Sequence, residues 1–244
     1  MKQVAIVTGA SRGIGAAIAQ RLAKDGFAVV VNYAGNAAEA DKVVAAIHNA
    51  DGTAIALQAD VARAGDVRGL FDRTIAALGR VDVLVNNAGI MPSQLPQLAA
   101  TDDDTFDRLV AINLKGSFNT MREAASRLEQ GGRIINFSSS LVGTLMPGYS
   151  AYVATKAGVE AMTAILAKEL RGKNITVNAV APGPTATALF LDGKTPELIE
   201  RLAKMTPLER LGQPEDIANA VSFLAGADGG WINGQTLRAN GGMV

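Results

Sequence analysis

Short apolar runs of strand length recur along the whole chain, and longer Ala-rich stretches with apolar residues every three or four positions separate them. The runs are QVAIVT (3–8), AVVVNY (28–33), TAIALQA (53–59), VDVLVN (81–86), RIINFS (133–138) and ITVNAVA (175–181), with a shorter GQTLRA (234–239) near the C-terminus. They are apolar almost throughout, as strands are when helices cover both faces of a sheet. The stretches between, such as IGAAIAQRLAKDG and EADKVVAAIHNADG, carry helical spacing and end at a glycine suited to a C-cap. Strand–helix alternation with right-handed crossovers predicts an α/β fold, a doubly wound parallel sheet with helices on both faces. No linker rich in Pro, Gly or Ser divides the 244 residues, and 48% apolar content suffices for one large core. Residues 1–244 are therefore expected to form a single domain.

Several classes of function are excluded early. Basic and acidic residues balance at 23 each with no basic stripe, so the electrostatic footprint of a nucleic-acid binder is missing. Without cysteine there are no disulfides and no thiolate metal sites, which fits a reducing compartment. The single histidine, His48, rules out a histidine-based metal cluster and a Ser-His-Asp triad. It is expected to be exposed on a surface helix, and no metal site is expected. MKQVAIVTGA lacks the pattern of a signal peptide, and no apolar run approaches the roughly 18 residues of a membrane span. A soluble, cytoplasmic protein with no membrane partner is the expectation.

The first strand runs into TGASRGIG (8–15) and then a helix. Strand, glycine turn and helix N-terminus together make an anion site, because unpaired backbone N–H groups and the helix dipole face the space above the turn. Gly9, Ser11, Arg12, Gly13, Ile14 and Gly15 are the candidate residues. The spacing G-x-x-x-G-x-G differs from the common G-x-G-x-x-G fingerprint and lacks the Lys-Ser/Thr of a nucleotide-hydrolysing phosphate loop. About 20 residues on, an acid would bind the 2′-hydroxyl of NAD. Here the second strand ends at Asn32-Tyr33-Ala34, with no carboxylate until Glu39, while Arg12 adds a cation. This favours the 2′-phosphate of NADP(H) over NAD(H).

YSAYVATK (149–156) holds two of the three tyrosines. Tyr152 and Lys156 stand at i and i+4, on one helical face. A free phenol titrates near about 10, too high for easy proton exchange at neutral pH, and a neighbouring ammonium lowers it. Tyr152 is thus the candidate general acid for a carbonyl oxygen that becomes an alkoxide. Tyr149 has Val153 at its i+4 position and is read as lining a pocket or packing under a loop.

TGASRGIG, Asp60-Val61, Asn86-Asn87-Ala88-Gly89, Asn113, Ser139, Tyr152-x-x-x-Lys156 and Pro182-Gly183 follow one another in this order. The set resembles the short-chain dehydrogenase/reductase family over essentially the full length. That resemblance implies a Rossmann-type fold and an NADP(H)-dependent oxidoreductase acting on a small carbonyl or alcohol. It implies that Ser139, 13 residues before Tyr152, hydrogen-bonds the substrate oxygen; Ser138 and Ser140 are alternatives that the spacing ranks lower. Asn113 would support a water that passes protons to Lys156, and Lys156 would also hold the nicotinamide ribose. Asp60 and Val61 would contact adenine, and Asn87, Ala88 and Gly89 would underlie the middle of the cofactor. Pro182, Gly183, Thr185 and Thr187 would cover the nicotinamide end. Members of the family are usually tetramers, so a homotetramer is expected. Apolar residues on several faces of helices near 103–129 and 151–171, such as Phe118, Met121, Val159 and Met162, agree with that, and NGGMV at the C-terminus is expected against a neighbour.

Candidate substrate contacts are Met91-Pro92, Leu141-Val142 and Ala188-Leu189-Phe190, a mainly apolar set that points to a hydrophobic or medium-chain carbonyl. Residues 184–206 are expected to form a lid over cofactor and substrate. A small-ketone or quinone-type carbonyl reductase is preferred, with a 3-oxoacyl-acyl-carrier-protein reductase close behind. LEQGG (128–132) is acidic where those enzymes are usually basic, although Arg133 and Lys173 lie near it. A non-catalytic NADP-binding regulator is the alternative from another class, and the intact Ser, Tyr and Lys set argues against it.

Overall fold

The computed structural model describes residues 2–92 and 94–244, the side chain of Leu189 excepted. The seven apolar runs all become strands: β1 (Val4–Val7), β2 (Ala28–Tyr33), β3 (Thr53–Gln58), β4 (Val83–Asn86), β5 (Arg133–Phe137), β6 (Thr176–Pro182) and β7 (Thr236–Ala239). They form one sheet in the order β3-β2-β1-β4-β5-β6-β7, and every neighbouring pair is parallel. Side chains alternate across each strand, so a strand buried on both faces feeds two cores. Ala5 and Val7 of β1 join Val29, Val31, Ile18, Leu22 and Val221 on one face. Ile6 joins Val30, Leu84, Ile134, Val177 and Phe71 on the other.

Ten helices are present among the described residues: α1 (Gly13–Lys24), α2 (Ala37–Asn49), α3 (Ala64–Leu78), α4 (Asp103–Leu109), α5 (Gly116–Arg127), α6 (Leu141–Thr144), α7 (Ser150–Glu169), α8 (Ala188–Leu191), α9 (Pro196–Lys204) and α10 (Pro214–Ala225). The chain builds β1, β2 and β3 outward, then crosses back to place β4 on the other side of β1. Ligands of open parallel sheets bind at such a reversal, beyond the strand C-termini. The glycine turn and Asn87-Ala88-Gly89 both lie there.

Two expectations are corrected. The helix expected over 103–129 is interrupted by a π-helical segment, Val110–Lys115. Met121 and Val159 are core residues, whereas Phe118 is exposed. His48 is exposed as expected, but its ring nitrogen folds back to within 2.9 Å of Ala54 O. The C-terminal segment packs on its own chain: Leu208 N–H donates to Gly241 O at 3.3 Å, Asn240 Nδ2 donates to Ser140 Oγ at 2.9 Å, and a Cβ on Gly143 would meet Val244 Cγ2 at 2.9 Å. Residues 184–206 fold as α8 and α9, with Thr187 and Thr195 accepting the N-cap bonds. Among the described residues no helix is long and apolar enough to cross a membrane.

Candidate active site

Gly9 (φ +62°) and Gly13 (φ +55°) occupy the left-handed region that L side chains rarely adopt. Gly9 also has no room for a side chain, since a Cβ there would stand 2.9 Å from Ala88 Cα. A Cβ on Gly15 would meet Asn87 Nδ2 at 2.5 Å. The first turn is therefore pressed onto the segment after β4. Asn87 Nδ2 donates to Thr8 O at 2.9 Å and Gly9 O at 3.1 Å, and Ala88 N–H donates to Thr8 Oγ1 at 3.0 Å. Arg12 is the N-cap of α1, caps no N–H with its side chain, and is exposed; no acid occupies the first turn. Side chains leave the leading amides of α1 open at the positive end of its dipole. A backbone cradle that lacks Cβ atoms at 9, 13 and 15 and ends in uncapped amides fits a dinucleotide pyrophosphate, and Arg12 adds a cation beside it.

At the end of β2 the expectations divide. Asn32 is buried, and its amide is committed within the fold: Oδ1 accepts from Gly9 N–H at 3.4 Å, and Nδ2 donates to Ala59 O at 3.1 Å and Leu57 O at 3.2 Å. It ties β2 to the glycine turn and to β3 and is not placed as a ligand contact. Tyr33 is partly buried and Ala34 exposed. The first carboxylate beyond, Glu39, pairs with Lys42 at 2.7 Å on α2. Asp60 takes Ala62 N–H at 3.0 Å and lies 3.7 Å from Arg63. Val61 is buried, and its carbonyl accepts from Asn119 Nδ2 at 2.9 Å.

β5 delivers three serines to the cleft, and their hydrogen bonds separate them. Ser138 Oγ donates to Glu160 Oε1 at 2.6 Å. Ser140 Oγ donates to Ala181 O at 3.1 Å and accepts from Asn240. Ser139 Oγ accepts Leu141 N–H at 3.2 Å, which leaves its own hydroxyl proton to donate into the cleft, where Tyr152 stands. Ser139 is thus the serine available to a ligand, as the spacing ranks it.

Tyr152 and Lys156 project from one face of α7. Lys156 is buried, and its Nζ donates to Phe137 O at 2.9 Å and lies 5.8 Å from the centre of the Tyr152 ring. Desolvation lowers the ammonium to about 8. Burial pushes the Tyr152 phenol up to about 12, against the pull of hydrogen bonding to Ser139 and with a small push from Tyr149, although Tyr152 keeps part of its surface at the cleft. The expected lowering of this phenol by the neighbouring ammonium is therefore corrected for the chain's own residues: loss of solvent dominates and raises it.

Asn113 lies in the π-helical segment and is wholly buried. Its Oδ1 accepts Ile90 N–H at 2.8 Å and its Nδ2 donates to Ile90 O at 2.9 Å, with Thr155 Oγ1 at 3.5 Å. The side chain clamps the segment after Gly89. Gly89 in turn leaves space where a Cβ would approach Asn113 Oδ1 at 3.2 Å and Lys156 Nζ at 3.5 Å.

Beyond β6, Pro182 O accepts Ser140 N–H at 3.0 Å, and Gly183 N–H donates to Ala239 O at 3.0 Å. Thr185 is buried and donates to Gly183 O at 3.0 Å. A Cβ on Gly13 would touch Thr187 Cγ2 at 3.5 Å, so the segment leading into α8 lies over the glycine turn. A pocket of about 290 Å³ opens beside α7, lined by Gln97, Leu98, Met146, Tyr149 and Val153 among others. Tyr149 is a pocket residue. Met91, Pro92, Leu141, Val142, Ala188 and Phe190 do not line it, and the Leu189 side chain lies outside the described residues. The lining comes from two loops that meet where a Cβ on Gly148 would touch Leu95 O at 2.7 Å.

Comparisons with known proteins place this arrangement among relatives. The family model described as "Enoyl-(Acyl carrier protein) reductase" matches residues 9–244. A short-chain type dehydrogenase/reductase of Picea abies is 50% identical over 250 residues, covering 99% of this chain and 92% of that one. An NADPH-dependent aldehyde reductase-like protein, chloroplastic, of Arabidopsis thaliana is 47% identical over 254 residues, covering 99% and 94%. The crystal structure of a short chain dehydrogenase from Burkholderia cenocepacia in complex with NADP superimposes with a TM-score of 0.92 at 39% identity, covering 99% and 97%.

Proposed function

The chain belongs to the short-chain dehydrogenase/reductase family, and we propose that it reduces ketones or aldehydes with apolar substituents to alcohols, using NADP(H) as cofactor and Tyr152 as proton donor. The observation that carries this reading is the convergence of Ser139, Tyr152 and Lys156, with Ser138 and Ser140 committed elsewhere. NADP(H) as cofactor agrees with the relative named for NADPH dependence and with the similar structure holding NADP. The glycine turn, the α1 N-terminus and Arg12 would hold its phosphates, with Asp60 and Val61 at the adenine. Asn87, Ala88, Gly89, Lys156, Pro182, Gly183, Thr185 and Thr187 would hold its remainder. Bound NADPH supplies the hydride.

The residues of the chain do the proton work. Tyr152 and Ser139 turn their hydroxyls toward the substrate oxygen, so the charge that develops there meets two donors. A phenol near about 12 is protonated at neutral pH, and an alkoxide is basic enough to take its proton. In the oxidative direction the same group would first have to lose that proton. Lys156 holds a positive charge behind the phenol and stabilises it once the proton has left.

The pocket's leucines, methionine and tyrosine favour an apolar substituent. Of the cations that kept a carrier protein in view, Arg133 opens β5 and Lys173 precedes β6, while Ser139 follows the far end of β5. Arg133 Nη1 is bonded to Gly132 O, and Lys173 Nζ to Ala125 O. Free ketones and aldehydes are therefore preferred over carrier-linked acyl groups. Exposed Phe118, Ile165 and Trp231 support assembly into a homotetramer, and α8–α9 is read as the lid. A panel of ketones, aldehydes and acyl thioesters, followed by NADPH consumption, tests the substrate reading. Turnover confined to acyl thioesters would replace it with the carrier-linked one.

A further inference from the structure

Three successive residues at the end of β5 are tied to one face of α7. Asn136 Nδ2 donates to Thr163 Oγ1 at 2.8 Å, Lys156 Nζ donates to Phe137 O at 2.9 Å, and Ser138 Oγ donates to Glu160 Oε1 at 2.6 Å. Positions 156, 160 and 163 follow the i, i+4, i+7 spacing of one helical stripe. The stripe docks α7, which carries Tyr152, onto the strand that delivers Ser139. Two of these ties are accounted for, one by the candidate catalytic lysine and one by a deeply buried polar network. The third joins a partly buried carboxylate to the residue next to Ser139, and the mechanism above gives it no part.

We propose that Glu160 is a positioning residue: through Ser138 it sets the distance between the Ser139 and Tyr152 hydroxyls. The backbone of this segment is held to β6, by Ser138 N–H on Val180 O at 2.8 Å and Ser140 N–H on Pro182 O at 3.0 Å. Those bonds fix the serines to the sheet and leave their spacing from α7 to side chains. Apart from the Tyr152–Ser139 contact whose length it would set, the Ser138–Glu160 bond is the side-chain tie closest in sequence to Ser139 on the α7 side. It is short and charge-assisted, the stronger kind of hydrogen bond. Both hydroxyls must reach one substrate oxygen, so a shift of α7 against β5 mispositions the pair without emptying the cofactor cradle at β1 and β4.

This inference rests on the proposed reductase activity, and one set of variants separates the two. Glu160→Ala and Ser138→Ala each remove the bond, from opposite sides. Each is expected to lower kcat about tenfold, inside the roughly hundredfold that a misplacement of about 1 Å can cause. The KM for the carbonyl and the Kd for NADPH, read by fluorescence, should stay near wild type. Glu160→Gln keeps an acceptor for the Ser138 hydroxyl while removing the charge, and should restore kcat. The double variant should be no slower than either single one, because both delete the same bond. Full kcat in both alanine variants, additive losses, or a Glu160→Gln as slow as Glu160→Ala would each overturn the positioning role. Wild-type protein inert toward every carbonyl would overturn the reductase reading and this inference with it.

Discussion

Lys156 gives its ammonium to the Phe137 carbonyl at 2.9 Å and stands 5.8 Å from the centre of the Tyr152 ring. The pair shares a helical face, yet the shortest bond of the lysine goes to the strand. A buried ammonium with one backbone acceptor is poorly compensated, which is why its pKa falls to about 8.

A stability consequence follows from that value. The folded-state pKa lies below the free value of 10.5, so between about pH 8 and 10.5 the unfolded chain binds more protons and stability rises with pH. Below about pH 8 the native state carries the full cost of the buried charge, at most about 3 kcal/mol. Tyr152 acts oppositely at higher pH: its pKa is raised from 10.0 to about 12, so stability is lost as pH climbs through that interval. Lys156→Met should therefore unfold at higher urea than wild type at pH 7, and the gap should narrow toward pH 9.5. A gap that widens would contradict the desolvated ammonium.

Gly9 and Gly13 make different demands on the first turn. Both have positive φ, but only Gly9 faces a backbone atom inside contact distance, Ala88 Cα, while Gly13 has ordinary room beside Thr187. Gly13→Ala should cost roughly 1–2 kcal/mol from backbone strain alone. Gly9→Ala should cost more and also weaken NADPH binding, because the turn must move off Ala88. Urea titration and NADPH fluorescence on the two variants check the order, and equal losses would refute it.

Arg12 is exposed at the N-cap of α1, and the nearest carboxylate after β2 is engaged by Lys42. Arg12→Ala should lower kcat/KM for NADPH by roughly ten- to a hundredfold, the value of a charge-assisted hydrogen bond. NADH should be affected far less. An equal loss with both cofactors would place Arg12 on the pyrophosphate instead of the 2′-phosphate.

Much of this was legible in the sequence because burial on both faces leaves a strong mark. Runs such as AVVVNY can hardly be anything but interior strands, and all seven appear in the sheet. The Tyr152–Lys156 spacing and the glycine turn are local patterns, so they too could be read. What escaped is tertiary. VAINLK looks helical and bears no sign of the π-helical segment that turns Asn113 onto Ile90. The pocket forms where the segment around Leu95 meets the loop at Gly148, and nothing local pairs those stretches. Asn32 sits where a ribose contact was expected, but the carbonyls of Leu57 and Ala59 claim its amide. The rise in the Tyr152 pKa depends on how fully the fold withdraws solvent, which spacing does not report.

The central claim is that the hydroxyl of Tyr152 delivers the proton in carbonyl reduction. Tyr152→Phe removes that oxygen and keeps the ring, so single-turnover NADPH oxidation with a reactive ketone isolates it. The variant should react roughly 10²- to 10⁴-fold more slowly than wild type while binding NADPH with unchanged affinity. A variant that oxidises NADPH at the wild-type rate would contradict the account.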